Sequence, residues 1–203
     1  MKKRMPKQER QEQIIQGAMR IFADKGFRGT TTREIAQRLG ISEALMFKYF
    51  PSKEALYRAI IKKRTDRAEE MLFPPEVIQA KDDRKVFQGI ATNLIERNVQ
   101  DPIFMRLLHF SALEGHELAR LFFTNHAQKK IKLLARYIEQ RMQEGVFRKV
   151  SPELAAQGFL GMILHYVQAR ELFGLKHWQR FSPAEVIETF VQIFLKGLEV
   201  EKE

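Results

Sequence analysis

Apolar residues recur along this chain at three- and four-residue intervals, in blocks separated by Gly, Pro and short polar stretches. That is the period of amphipathic helices, and no stretch alternates with the period of a strand. Ile14, Ile15, Ala18, Met19, Phe22 and Ala23 make one broad stripe. It predicts a first helix to about Lys25, ended by Gly26, with Phe27 as a plug beneath the next two helices. Both of those are short. Thr31 and Glu34 have capping-box spacing, and Ile35, Ala36 and Leu39 form the first apolar face. Gly40 supplies the left-handed residue that ends that helix. Ser42 caps the next, whose buried side is Met46 and Phe50. Pro51 stops it, and Ser52 starts a fourth helix expected to reach about Phe73, before Pro74 and Pro75.

Five further helices are predicted from Asp82 onward. The fifth spans about 83–100, with Val86, Phe87, Ile90, Leu94 and Ile95 facing inward. The sixth starts at Pro102, a favoured first-turn proline, and carries Phe104, Leu107, Leu108 and Phe110. The seventh covers about 116–144 and ends at Gly145; the eighth covers 151–173, before Gly174; the ninth runs from Ser182 to about Val200. The fold class predicted is therefore all-α, with about nine helices. An N-terminal three-helix helix-turn-helix domain, residues 1–51, is followed by a C-terminal helical bundle, residues 52–203, and the fourth helix links the two.

A capped helix, a glycine turn and a second helix with a polar and aromatic outer surface form the arrangement that enters a DNA major groove. Glu43, Ala44, Leu45, Phe47, Lys48 and Tyr49 occupy that outer surface, and Ser52-Lys53-Glu54 offers amides and a lysine to a phosphate. The segment TTREIAQRLGISEALMFKYFPSKEAL, with FADKGFRGTT before it and KYFPSKEALY after it, resembles the DNA-binding domain of the TetR (TetR/AcrR) family of bacterial transcription regulators. Chain length and an all-helical remainder fit that family. Departures are specific. The family usually has Tyr where this chain has Phe47, a basic or Gln side chain at Glu43, and Thr or Ser at Leu45. A lost Tyr hydroxyl removes one phosphate hydrogen bond, and Glu43 repels phosphate. The resemblance implies a DNA-binding set of Thr31, Thr32, Arg33, Ser42, Glu43, Ala44, Leu45, Phe47, Lys48, Tyr49 and Lys53. Thr31, Thr32, Tyr49 and Lys53 are expected to position phosphates, and Arg33, Lys48, Ala44 and Leu45 to meet bases.

In the ninth helix, Val186, Ile187, Phe190, Val191, Phe194, Leu195 and Leu198 form a stripe too wide for one packing partner. The eighth adds Leu154, Phe159, Met162, Ile163, Tyr166 and Val167, with Gly158 and Gly161 allowing close approach. Ordinary monomer core is one reading; the resemblance implies the other, a four-helix dimer interface reading an inverted-repeat operator. It also implies an effector pocket within helices four to eight. Candidate lining is Phe87, Asn93, Phe104, Leu108, His109, Phe122, Phe123, Met162 and Tyr166, residues that could equally fill core. Sixteen Phe and eight Met, most of them beyond the motif, suggest an apolar or aromatic small-molecule effector.

Charge sharpens this picture. Residues 1–67 carry 17 Lys and Arg against 7 Asp and Glu, and residues 68–203 carry 18 of each. All the net charge of +10 thus sits on the motif-bearing third, as a polyanion partner requires. A membrane surface would favour the same asymmetry but would not explain a capped helix-turn-helix. With no Cys, disulfides and cysteine-based zinc sites are excluded, and a reducing cytosol is suitable. MKKRMPKQER is a basic arm with no apolar run after it, and LAAQGFLGMILHYVQA is shorter than a membrane span. A soluble, cytoplasmic protein without a membrane partner is expected. His109, His116, His126, His165 and His177 do not repeat a metal-ligand spacing on one helix face, so neither metal nor cofactor is expected. No glycine-rich phosphate loop, nucleophile elbow or HExxH is present, which disfavours an enzyme. Three functions remain: a ligand-responsive repressor, a nucleoid-coating protein, and a helical enzyme or lipid carrier with an incidental helix-turn-helix. The placement of the charge argues against the last.

Overall fold

The structure, a computed structural model, describes residues 5–66, 77 and 79–200. The first residues of the basic arm and the predicted end of the fourth helix near Phe73 lie outside the described residues. The helices are α1 (Lys7–Lys25), α2 (Thr32–Arg38), α3 (Glu43–Tyr49), α4 (Lys53–Asp66), α5 (Asp83–Gln100) and α6 (Ile103–Leu113). Next, α7 consists of Glu117–Phe122 and Gln128–Gln143 on either side of a π-helical turn, Phe123–Ala127. Helix α8 (Pro152–Val167) continues into a second π-helical turn, Gln168–Leu172; a 3-10 turn, Lys176–Arg180, precedes α9 (Pro183–Leu198). The all-α class and the nine helices of the described residues agree with the reading of the sequence. Among the described residues the only β pairing is an isolated antiparallel bridge between Phe147 and Glu199.

Two details differ from the sequence reading. The capping box is complete at Ser182 and Glu185, where α9 starts, but only half formed at Thr31. There the Thr31 hydroxyl accepts the Glu34 amide at 3.1 Å, while the Glu34 carboxylate turns to Lys25 at 2.6 Å and Arg38 at 3.0 Å. Two cations outcompete one backbone amide, and the Lys25 hydrogen bond is the main reason the Glu34 pKa is lowered. The ninth helix stops at Leu198 because its last carbonyl accepts the Arg148 N–H at 2.7 Å, beside the bridge.

Packing groups the described helices into two compact units. The first holds α1–α4 together with α6 and the first segment of α7. Its core is Ile14, Phe22, Ile35, Met46, Leu56, Tyr57, Ile60 and Leu107, all fully buried. Each such side chain stabilises the head by about 1.5–3 kcal/mol relative to exposure. Gly17 lets α2 come close, since a Cβ there would stand 2.1 Å from Leu39 Cδ2. Phe27 is the expected plug: 8% exposed, its ring lies 5.1 Å from that of Tyr57.

The second unit holds α5, the second segment of α7, α8 and α9. The ring of Phe87, fully buried, meets Phe159 at 4.9 Å edge-to-face and Phe194 at 5.1 Å, geometries that the aromatic quadrupole favours. At the start of α5, Asp83 accepts two hydrogen bonds from the Arg141 guanidinium, each 2.9 Å, and one from the Tyr137 hydroxyl at 2.6 Å. Burial, and then Asp83, raise the Tyr137 pKa.

Candidate nucleic-acid interface

Helices α2 and α3 become one rigid piece through their turn. Gly40 sits at φ +64°, the Ile41 N–H donates to the Ala36 carbonyl at 3.0 Å, and the Ser42 hydroxyl accepts the Leu45 amide at 3.1 Å. Ile35, Ala36, Met46 and Phe50 bury the inner side. On the outer side Thr31, Arg33, Ser42, Ala44, Phe47 and Lys48 are exposed, whereas Thr32, Glu43, Leu45, Tyr49 and Lys53 are half-buried. Phe47 is 41% exposed, a large apolar ring on an otherwise polar surface. Gln37, absent from the expected set, is exposed one turn after Arg33 on the same face of α2. Its spacing from Arg33 was the available signal.

Three expected contacts have other partners. The Thr32 hydroxyl donates to the Glu43 carboxylate across the turn, which engages the hydroxyl proton and places a negative charge beside it. Lys53 is engaged within the head as well. Its ammonium donates to the carbonyls of Phe27 and Thr30, both at 2.8 Å, and lies 4.2 Å from the centre of the Phe27 ring. One of its three donors is left for any further partner. Tyr49 packs against the apolar core of the head.

The expected pocket residues fall in both units. In the first, Phe104 meets Phe122 at 5.5 Å and Phe122 meets Phe123 at 5.6 Å; Phe123, on the π-helical turn, is 51% exposed. Leu108 belongs to the head core, and His109 Nδ1 bonds the Met105 carbonyl of its own helix at 2.8 Å. In the second, Phe87 and Tyr166 are core residues, while Asn93 and Met162 are half-buried. The expected dimer residues divide too. Phe159, Ile163, Val186 and Val191 are buried within the chain itself, and Met162, Ile187, Phe190 and Phe194 are half-buried. What these helices leave outside is Leu154, 74% exposed, and Ile193, 58% exposed. No helix of the described residues is long and apolar enough to cross a membrane.

A glycine-turned helix pair, buried on one side and presenting Arg33, Gln37, Ala44, Phe47 and Lys48 on the other, defines a helix-turn-helix DNA-binding protein. Residues 14–60 match the bacterial regulatory proteins of the tetR family, and residues 86–197 match the C-terminal domain of AefR-like transcriptional repressors. The chain belongs to the TetR family and is a DNA-binding transcriptional regulator. It is 25% identical over 195 residues to the uncharacterized HTH-type transcriptional regulator YvkB of Bacillus subtilis, covering 94% of this chain and 97% of that one. Among solved structures, a Clostridium perfringens putative fatty acid metabolism regulator has a TM-score of 0.72 at 20% identity, covering 93% and 100% of the two chains. AibR, solved in complex with isovaleryl coenzyme A and operator DNA, has a TM-score of 0.69 at 22% identity, covering 91% and 97%. These structural likenesses share the fold.

Proposed function

We propose that the chain is a cytoplasmic repressor that binds an inverted-repeat operator as a homodimer and leaves it when a small apolar or aromatic ligand binds. Residues 1–51 read DNA, residues 52–203 sense and dimerise, and α4 joins them. The observation that carries this is the outer surface of α2 and α3, with Arg33, Gln37 and Lys48 exposed on a head that holds all the net positive charge. Arg33 suits a guanine edge, and the small Ala44 leaves room for a base. Phe47 offers an apolar contact to a thymine methyl where the family usually has a Tyr hydroxyl.

The dimer face is best drawn through the outer sides of α8 and α9. Leu154, Gly158, Gly161, Met162, Phe190, Ile193 and Gly197 lie there, and nothing stands within 4 Å of a Cβ built on the three glycines. A twofold axis would set two α3 helices about one DNA turn apart, roughly 34–36 Å. For the ligand, Phe104, Phe122 and the half-exposed Phe123 supply an aromatic wall at a π-helical turn, a feature frequent at functional sites. AibR was solved with an acyl thioester, so short and medium acyl groups are the first ligands to try.

A ligand releases DNA only to the extent that it prefers the non-binding state. A coupling of about 1–3 kcal/mol weakens operator binding roughly 5- to 150-fold, and operator weakens the ligand equally. Thermal-shift screening of acyl thioesters and aromatic metabolites, followed by operator titration with each hit, tests this. A tight ligand with equal affinity for free and DNA-bound protein contradicts the switch. Equal affinity for all DNA sequences would instead favour nucleoid coating.

A further inference from the structure

The loop of residues 26–31 sets where α2 and α3 stand on α1 and α4, and it is gripped from two sides. Glu114, at the end of α6, accepts the Phe27 N–H through Oε2 at 2.9 Å and the Arg28 N–H through Oε1 at 3.1 Å. From the other side Lys53 holds the carbonyls of Phe27 and Thr30. Between the two grips the Phe27 ring packs against His116, two residues beyond Glu114, at 4.4 Å. Gly26, at φ +74°, lies under the carboxylate: a Cβ there would stand 2.3 Å from Glu114 Oε1, so any larger residue would displace it. Glu117 adds an ion pair to Arg58 of α4 at 2.8 Å. Glu114 lies 87 residues from Phe27. It falls within residues 86–197, the match to the C-terminal family domain, whereas the loop falls within residues 14–60.

We propose that Glu114 is a positioning residue for DNA reading: it touches no DNA, and its carboxylate fixes the loop that carries α2 and α3. The inference rests on the DNA-reading surface proposed above. Two charge-assisted bonds to adjacent amides, opposed by a lysine on the carbonyls of the same loop, leave that backbone little freedom. Both helices are short, seven residues each, so their orientation depends on such external restraints.

The sign of one substitution separates this from plain electrostatics. Glu114→Gln removes a negative charge from a DNA-binding head, which by field effects alone would tighten binding. It also replaces one acceptor oxygen with an NH2 group, which cannot accept the second amide, so a clamp would loosen. Measured on the full chain, hydrogen exchange at the Phe27 and Arg28 amides should accelerate. Operator affinity should fall roughly 2- to 30-fold. Salt dependence and base preference should stay unchanged, because no phosphate or base contact is lost. Lys53→Met should repeat the pattern from the carbonyl side. Unchanged or tighter operator binding by Glu114→Gln, with wild-type exchange at both amides, overturns the proposal. A salt slope flattened by about one in Lys53→Met would return that lysine to a phosphate and remove half the clamp. If the wild-type chain selects no operator, the reading function fails, and amide exchange still judges the clamp by itself.

Discussion

In the DNA-binding head, short helices hang on a loop fixed by polar groups: Glu114 on two amides, Lys53 on two carbonyls, with Phe27 seated between His116 and Tyr57. In the second unit, helices of 16–18 residues hold one another through Phe87, Phe159 and Phe194, with the Asp83–Arg141 pair and Tyr137 among the polar contacts. The difference arises from what each must expose. The surface proposed to meet DNA keeps Arg33, Gln37 and Lys48 in water, which leaves α2 and α3 few apolar side chains to bury. Directional hydrogen bonds must then supply orientation that apolar burial, being non-directional, cannot. The second unit, with no net charge to present, orders itself by burial.

The contrast can be broken most severely at the two cores. Phe87→Ala should destabilise the second unit by about 3–5 kcal/mol in urea unfolding. Where the protein remains folded its base preference should be unaltered; a changed preference would mean the two units do not behave separately. Ile193→Asp comes next. It leaves the fold intact, since the side chain is 58% exposed, but puts an unpaired charge in the proposed dimer seam. Sedimentation should show dimer affinity weakened by about 2 kcal/mol or more, and operator binding should fall with it. A dimer of wild-type strength would place the interface elsewhere.

Arg33→Ala should cost about 1–3 kcal/mol of operator binding and relax choice at one base pair per half-site, with an unshifted melting temperature. The smallest effect is acid sensitivity. Hydrogen bonds from Lys81 first, then Gln140 and Arg141, lower the Glu144 carboxyl from 4.5 to about 2. A carboxyl depressed in the folded state contributes stability above its unfolded value. Its contribution should therefore be complete above 4.5 and disappear as pH falls toward about 2. Urea unfolding across that range should show the loss, and Glu144→Gln should remove this part of the pH dependence.

Much of the head was legible because its signals are local. The caps at Thr31 and Ser42 each bond an amide three residues on, Gly40 holds its turn at positive φ, and Ile35, Ala36, Met46 and Phe50 stand out by helical spacing. Lys53 was legible as a helix-start cation, but the carbonyls that hold it are 23 and 26 residues away in sequence. Glu114, in a glycine-broken helix end, reads as a solvated acid, and nothing in the sequence joins it to Phe27. The stripes on α8 and α9 were found, but periodicity shows which face is apolar and not what covers it. Phe159 and Val191 are covered by their own chain, whereas Ile193 is not. The two π-helical turns insert a backbone irregularity into runs whose side-chain period gave no warning.

The central claim, sequence-specific reading by a pair of heads, is tested most directly by selecting random DNA fragments on the purified full-length chain and sequencing those retained. The predicted result is one enriched inverted repeat with half-site centres about one helical turn apart, roughly 10 base pairs or a multiple of it. Recovery with no enriched motif, or with a lone half-site of full affinity, would contradict it.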